Sequence, residues 1–254
     1  MTFPSTGSDA PTDSVKNPIS GFLDHVEELR RRILISLAVI VAGSIPCGIF
    51  WKTIYNVVIL FPLKFIDPQP HLIYTSPAGT VMLSFQIAVV GGIVLASPII
   101  FFQLWGFVAP ALYKKEKSIV LPLAFFTFIS FGAGVAFSYV VLPLFLKFLI
   151  TFGSGTLEPY FKINEYAGFL FKIVLAFGII FELPVASFVL TRAGLITSKL
   201  LIKHIRHSIV VIFILAAILT PPDVVSQIIM AVPLLALYGI SILVSFFTGR
   251  RMAS

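Results

Sequence analysis

The chain has 254 residues, of which 58% are hydrophobic and 11% charged, with a formal net charge of +7 at pH 7. That much apolar surface exceeds what a soluble core of this length hides, so the composition excludes an ordinary soluble domain and points to a polytopic membrane protein. The basic excess is no nucleic-acid footprint, because Lys and Arg border apolar segments instead of sharing one soluble face, and the lone Cys47 excludes an intrachain disulfide or a CxxC redox or metal site.

Met1–Asn17 is rich in Ser, Thr, Pro and Asp without an apolar run, so residues 1–22 are expected as a disordered cytoplasmic tail and not a cleavable signal. Arg30, Arg31 and Arg32 precede the uncharged run Ile33–Trp51, long enough to cross a hydrocarbon core of roughly 30 Å. Basic residues stay on the cytoplasmic side, so the N-terminus is expected inside and the first span serves as an uncleaved anchor. Tyr55, Pro62, Lys64, Asp67, Pro68 and Pro70 then suit an interfacial amphipathic piece on the outer face.

A second crossing falls within Met82–Trp105 and returns the chain to the cytoplasm at Lys114, Lys115, Glu116 and Lys117. The third is expected over Ser118–Val141, with Pro143–Asn164 as an outer loop carrying Gly153, Gly155, Glu158 and Pro159. The fourth, Tyr166–Leu190, leads to Arg192, Lys199, Lys203 and Arg206. Ser208–Thr220 gives only roughly 20 Å of helix, yet Arg250 and Arg251 close the chain on the same basic side. A hairpin of two short spans, turning at Thr220-Pro221-Pro222-Asp223, reconciles the two. The expected fold is all-α: a six-span domain over residues 23–248, the last two spans short, both termini cytoplasmic and a short tail at 249–254.

Among the charged residues, Glu28 and Arg32 are four apart and share a helix face, which an ordinary ion pair worth a few tenths of a kcal/mol would also explain. Glu116 is the one carboxylate between Lys114 and Lys117, where a solvated loop charge is the plain alternative. Four motifs in chain order add to this. They are His25-Val26-Glu27-Glu28-Leu29-Arg30, then Ser97-Pro98 with Phe102 through Glu116, Phe181-Glu182-Leu183-Pro184, and Thr220-Pro221-Pro222-Asp223-Val224 with Gln227. In that order they resemble the TatC family, the multispanning subunit of the twin-arginine protein translocase.

The resemblance implies a receptor for signal peptides with two consecutive arginines, located in the bacterial inner membrane as a multi-pass protein. It assigns recognition to Glu28 and Glu116, with Arg30 in the same motif. A guanidinium is best held by a carboxylate, and on a basic cytoplasmic face only Asp9, Asp13, Asp24, Glu27, Glu28 and Glu116 offer one. Leu29, Trp105, Phe107 and Tyr113 are candidates for apolar walls. The resemblance also implies small single-span partners of the TatA and TatB type, self-association, and movement of folded proteins driven by the proton-motive force. Pro62, Pro110 and Pro184 are read as structural prolines.

Glu182 stands in mid-span, where a charged, unpaired carboxylate costs several kcal/mol. Lys172 is no partner, because ten positions of helix separate the two by about 15 Å and some 80°. A protonated or internally bonded structural residue is one reading. A polar contact with a partner span or with cargo, shared with Gln227 and Asp223 beside the last hairpin, is the favoured one. Pro184 frees a carbonyl nearby. His204 and His207 are too few for a metal site, no Gly-Lys dipeptide is present for a Walker A loop, and neither a cofactor, nucleic acid nor an enzymatic activity is expected. The rival reading is a proton-coupled small-solute transporter with Glu182 as carrier, against which no inverted repeat or pair of broken helices is seen.

Overall fold

The computed structural model of the chain describes residues 18–67, 69–112, 120–153 and 159–253. Helix α1 spans Pro18–Ile49 and continues into a turn, α2, at Trp51–Ile54. A π-helical turn at Tyr55–Ile59 and a 3-10 turn at Pro62–Phe65 follow. The segment expected to be an amphipathic interfacial piece is therefore a chain of tight turns. Ile59, Pro62, Leu63 and Ile66 are buried, so packing against the bundle shapes it. Pro62 starts the 3-10 turn, where its missing N–H is not needed.

Strand β1, His71–Ile73, pairs in parallel with β2, Tyr160–Lys162, in the register His71 to Tyr160. The pairing ties two loops together at one end of the bundle, the two that the charge pattern assigns to a single side.

Helix α3 covers Gly79–Leu112, α4 Val120–Gly153, α5 Ile163–Ile180 and α6 Leu183–Arg192. Two sequence expectations are corrected here. Helix α4 runs through Pro143 to Gly153, where an outer loop was expected. Leu142, Phe145, Leu146 and Ile150 are all buried, and that packing outweighs the bond a mid-helix proline removes. After the short helix α7, Ser198–Lys203, the hairpin consists of α8, Ile205–Leu219, and α9, Val224–Ala253. Only α8 is short: its 15 residues rise roughly 22 Å. Val224–Arg250 is 27 residues long and apolar enough to cross a membrane, because the uncharged run continues past Pro233 as far as Gly249. With His25–Ile49, Gly79–Val108, Val120–Thr151 and Ile163–Arg192 there are, among the described residues, five helices long and apolar enough to cross a membrane, and the shorter apolar α8 is the sixth candidate crossing of the all-α polytopic fold.

Small residues set the crossings. A Cβ on Gly92 would lie 2.8 Å from the Ile40 carbonyl oxygen, so α1 and α3 approach backbone to backbone. Gly134 of α4 likewise faces the Phe177 carbonyl and Gly178 of α5. Such contacts replace a hydrophobic driving force, which lipid tails do not provide. Between α6 and α9, the Ser187 hydroxyl donates to the Ser241 carbonyl at 2.9 Å and Thr191 to the Ser245 hydroxyl at 2.8 Å, both buried. Phe145, Leu170, Ile173, Phe177, Met230 and Leu234 fill the core. Val41, Ile45 and Ile49 of α1 face outward, as lipid-facing residues do.

Candidate functional site

The helical period brings Glu28 and Arg32 onto one face of α1, turned toward the end of α3. Arg32 donates to Glu28 Oε1 from Nε at 3.0 Å and from Nη2 at 2.6 Å. Its Nη1 donates to Gln103 Oε1 at 3.1 Å and to the Gln103 carbonyl at 3.3 Å. The guanidinium lies directly on Gly106, occupying the space of a Cβ there. One turn toward the N-terminus, the His25 ring stacks on Phe107 with centroids 4.3 Å apart. From this polar clamp an apolar groove of about 330 Å³ runs between α1 and α3, lined by Leu29, Leu37, Ile40, Ile100, Leu104 and Phe107.

Of the residues expected in the site, Glu28, Leu29 and Phe107 are thus brought together. Arg30 is exposed on α1 and takes no part in the clamp. Trp105 is not a groove wall. It is buried, and its Nε1 donates to the Thr127 hydroxyl of α4 at 2.8 Å, because two positions along a helix turn a side chain roughly 200° away from Phe107. Tyr113 and Glu116 lie outside the described residues, and of Pro110 only its place in the last turn of α3 is described. Arg32, already paired with Glu28 by its spacing, completes the clamp with Gln103 and Gly106, which had not been singled out as site residues. The i, i+4 spacing announced the Arg32 bond, whereas nothing in the spacing linked Gln103 or Gly106 to α1.

Glu182 sits at the break between α5 and α6, and Pro184 occupies the first turn of α6. The Thr127 hydroxyl and the Phe131 backbone are its hydrogen-bonding neighbours, whereas Oε1 is buried without a partner among the described residues. The Ser130 hydroxyl donates to the Phe181 carbonyl at 2.6 Å and takes up part of the polarity the break exposes. Lys172 is exposed, and the ion pairs among the described residues are Glu28 with Arg32 and Lys162 with Glu165. Glu182 therefore has uncharged neighbours and one open acceptor.

Asp223 caps α9, accepting from the Ser226 N–H at 2.7 Å on Oδ1, while its Oδ2 is buried and unpartnered among the described residues. Gln227 Nε2 donates to the Phe213 carbonyl at 2.9 Å, so both residues first serve to close the hairpin. Gln227 also borders an apolar groove of about 460 Å³ along α8, with Ile209, Val210, Phe213 and Ala217. It lies apart from the Glu28 groove.

Residues 24–233 match the family model described as Sec-independent protein translocase protein (TatC). The protein of that name from Helicobacter pylori (strain ATCC 700392 / 26695) is 45% identical over 224 residues, 87% of this chain and 85% of the relative. Its counterpart from Aquifex aeolicus is 38% identical over 231 residues, 90% of this chain and 95% of the relative. A crystal structure described as the twin-arginine translocase receptor TatC superposes with a TM-score of 0.79 at 38% identity, covering 91% of this chain and all of that one.

Proposed function

Starting from the fact that this chain belongs to the TatC family of Sec-independent protein translocase proteins, we propose that Glu28, together with Glu116, receives the arginine pair of a signal peptide. The chain is the receptor component of a twin-arginine translocase, a multi-pass inner-membrane protein and not an enzyme. The observation that carries the proposal is an order in space. A Glu28 carboxylate oxygen in the N-terminal part of α1, without a partner among the described residues, adjoins an apolar groove that leads between α1 and α3. A signal peptide whose arginines precede a hydrophobic stretch offers the same order. A guanidinium brings several donors in a plane to one carboxylate, which an ammonium cannot do.

On this reading, Leu29 and Phe107 flank the peptide's hydrophobic residues and Trp105 supports that wall from behind. Glu182 and the groove beside α8 are set aside for a second task, meeting polar and apolar side chains of small single-span TatA- or TatB-type subunits. The shortness of α8 favours this, since a helix of roughly 22 Å thins the bilayer or needs a neighbour to shield its ends. The assembled translocase then moves folded cargo at the expense of the proton-motive force. Membership of the family disfavours a proton-coupled solute carrier built on Glu182.

Titration of the purified protein with a labelled signal peptide tests the recognition site. Glu28→Gln and Glu116→Gln are each expected to weaken binding at least tenfold, and a peptide with two lysines is expected to bind wild type as poorly. Wild-type affinity in both single variants would remove these carboxylates from the site.

A further inference from the structure

We infer that Arg32 is a positioning residue of the arginine-recognition site, and that Gly106 is the residue that makes room for it. The inference rests on the reading that Glu28 receives a signal-peptide arginine. It begins from an asymmetry in the clamp. Both Arg32 donors converge on a single oxygen of Glu28, Oε1, and Oε2 has no partner among the described residues.

Arg32 does not depend on Glu28 for its own place. Nη1 is fixed by two acceptors on Gln103, one from the side chain and one from the backbone, and the guanidinium lies against α3 at Gly106. With a side-chain exposure of 22%, against 44% for Glu28, it is the more anchored member of the pair. Glu28, by contrast, is held by Arg32 alone among the described residues. A free glutamate on an exposed helix face samples several rotamers and loses that freedom on binding a ligand. Arg32 removes the cost in advance by fastening one oxygen to the α3 side of the groove and presenting the other.

The arrangement also bears on specificity. Arg32 already displays the geometry a ligand arginine would copy, two N–H donors from one guanidinium sharing a single carboxylate oxygen. A second guanidinium can take Oε2 in the same way, sandwiching the carboxylate between two planar cations. The partial neutralisation of Glu28 by Arg32 makes it a weak attractor for a generic cation, so binding depends on directed hydrogen bonds and not on charge alone. An ammonium, with its compact charge and no fork, gains less there.

Gly106 carries the part of this argument that a change at Arg32 cannot. A Cβ at position 106 would fall on Arg32 Nη1, so Gly106→Ala must displace the guanidinium from its present place beside Gln103 without altering any charged or hydrogen-bonding group.

The experiment uses the full-length protein in nanodiscs, titrated with labelled peptides bearing two arginines or two lysines, for wild type, Arg32→Gln, Arg32→Lys, Gly106→Ala, Glu28→Gln and Glu28→Gln with Arg32→Gln. Arg32→Gln and Gly106→Ala are each expected to weaken arginine-peptide binding about tenfold, the size of a charge-assisted bond, and to narrow the arginine-over-lysine preference. Arg32→Lys is expected not to rescue, since one ammonium cannot span Glu28 and Gln103 in this geometry. The double variant is expected to bind no more weakly than Glu28→Gln alone, because a positioning residue has nothing to position once its target is gone. Wild-type or tighter binding in both Arg32→Gln and Gly106→Ala, or losses that add in the double variant, would overturn the inference. Wild-type binding in Glu28→Gln would instead refute the underlying reading, and the two failures are told apart by which variant stays intact.

Discussion

Trp105 and Thr127 are joined across α3 and α4 by a 2.8 Å hydrogen bond from the indole Nε1 to the hydroxyl, and Thr127 in turn neighbours Glu182 at the break of the fourth span. A buried polar line thus runs from the helix that carries the groove to the break between α5 and α6. Thr127→Val keeps the shape and removes the hydroxyl, leaving the indole donor unsatisfied. It is expected to destabilise the protein by about 1–3 kcal/mol, read as a lowered midpoint in thermal aggregation of the detergent-solubilised protein. Trp105→Phe is expected to leave signal-peptide affinity within about twofold, since its ring faces away from the groove. A tenfold loss in Trp105→Phe would return Trp105 to the groove wall.

Glu182 keeps one oxygen without a partner among the described residues, and none of the ion pairs seen among them involves it. Glu182→Ala is expected to bind signal peptide like wild type while recovering less partner subunit on co-purification and exporting less cargo. Glu182→Gln, which keeps an acceptor, is expected to fall between the two. Partner recovery and export at wild-type levels in Glu182→Ala would make Glu182 a structural residue of the break.

The crossing of α4 and α5 depends on a missing side chain. Gly134→Val places methyl groups against the Phe177 carbonyl and Gly178, and the backbones must separate. Overpacking of this kind costs about 1–3 kcal/mol, so a drop in thermal midpoint without loss of membrane insertion is expected. Gly132, with open space around its Cα, is the control: Gly132→Ala is expected to leave the midpoint unchanged.

Much of this was legible in the sequence, for reasons that differ from residue to residue. Uncharged runs bounded by Arg30–Arg32, Lys199–Arg206 and Arg250 mark the spans, because burying a charge in lipid costs too much to happen by chance. The bond between Glu28 and Arg32 follows from helical spacing alone. Pro143 misled because a proline and nearby glycines signal a loop locally, whereas Phe145 and Ile150 pack into a core that only the folded bundle defines. Gln103 and Gly106 stayed silent for a related reason. Their role exists only once α3 lies beside α1, and no period within either helix encodes that neighbour. Trp105 shows the limit of motif reading, since a shared motif does not say which face of the helix each member occupies.

The topology is open to direct labelling. In a Cys47→Ala background, cysteines introduced at Lys203 and at Asp67 are expected to react with an impermeant maleimide from opposite sides of the membrane, 203 from inside and 67 from outside. Lys/Arg asymmetry is the reason. Labelling of both from the same side would contradict the assignment of inner and outer loops.

The central claim is that the clamp at Glu28 and the groove between α1 and α3 together read a signal peptide. Site-specific photocrosslinking tests it most directly, with a photoreactive residue placed in turn at Glu27, beside the clamp, and at Leu37 or Ile100 along the groove. A probe at Ile214, in the separate groove of α8, serves as the comparison. The account predicts that position 27 captures the peptide near its arginines and positions 37 and 100 capture its hydrophobic stretch, with both sets lost in Glu28→Gln. Capture of the arginine region from position 214, with none from position 27, would contradict it.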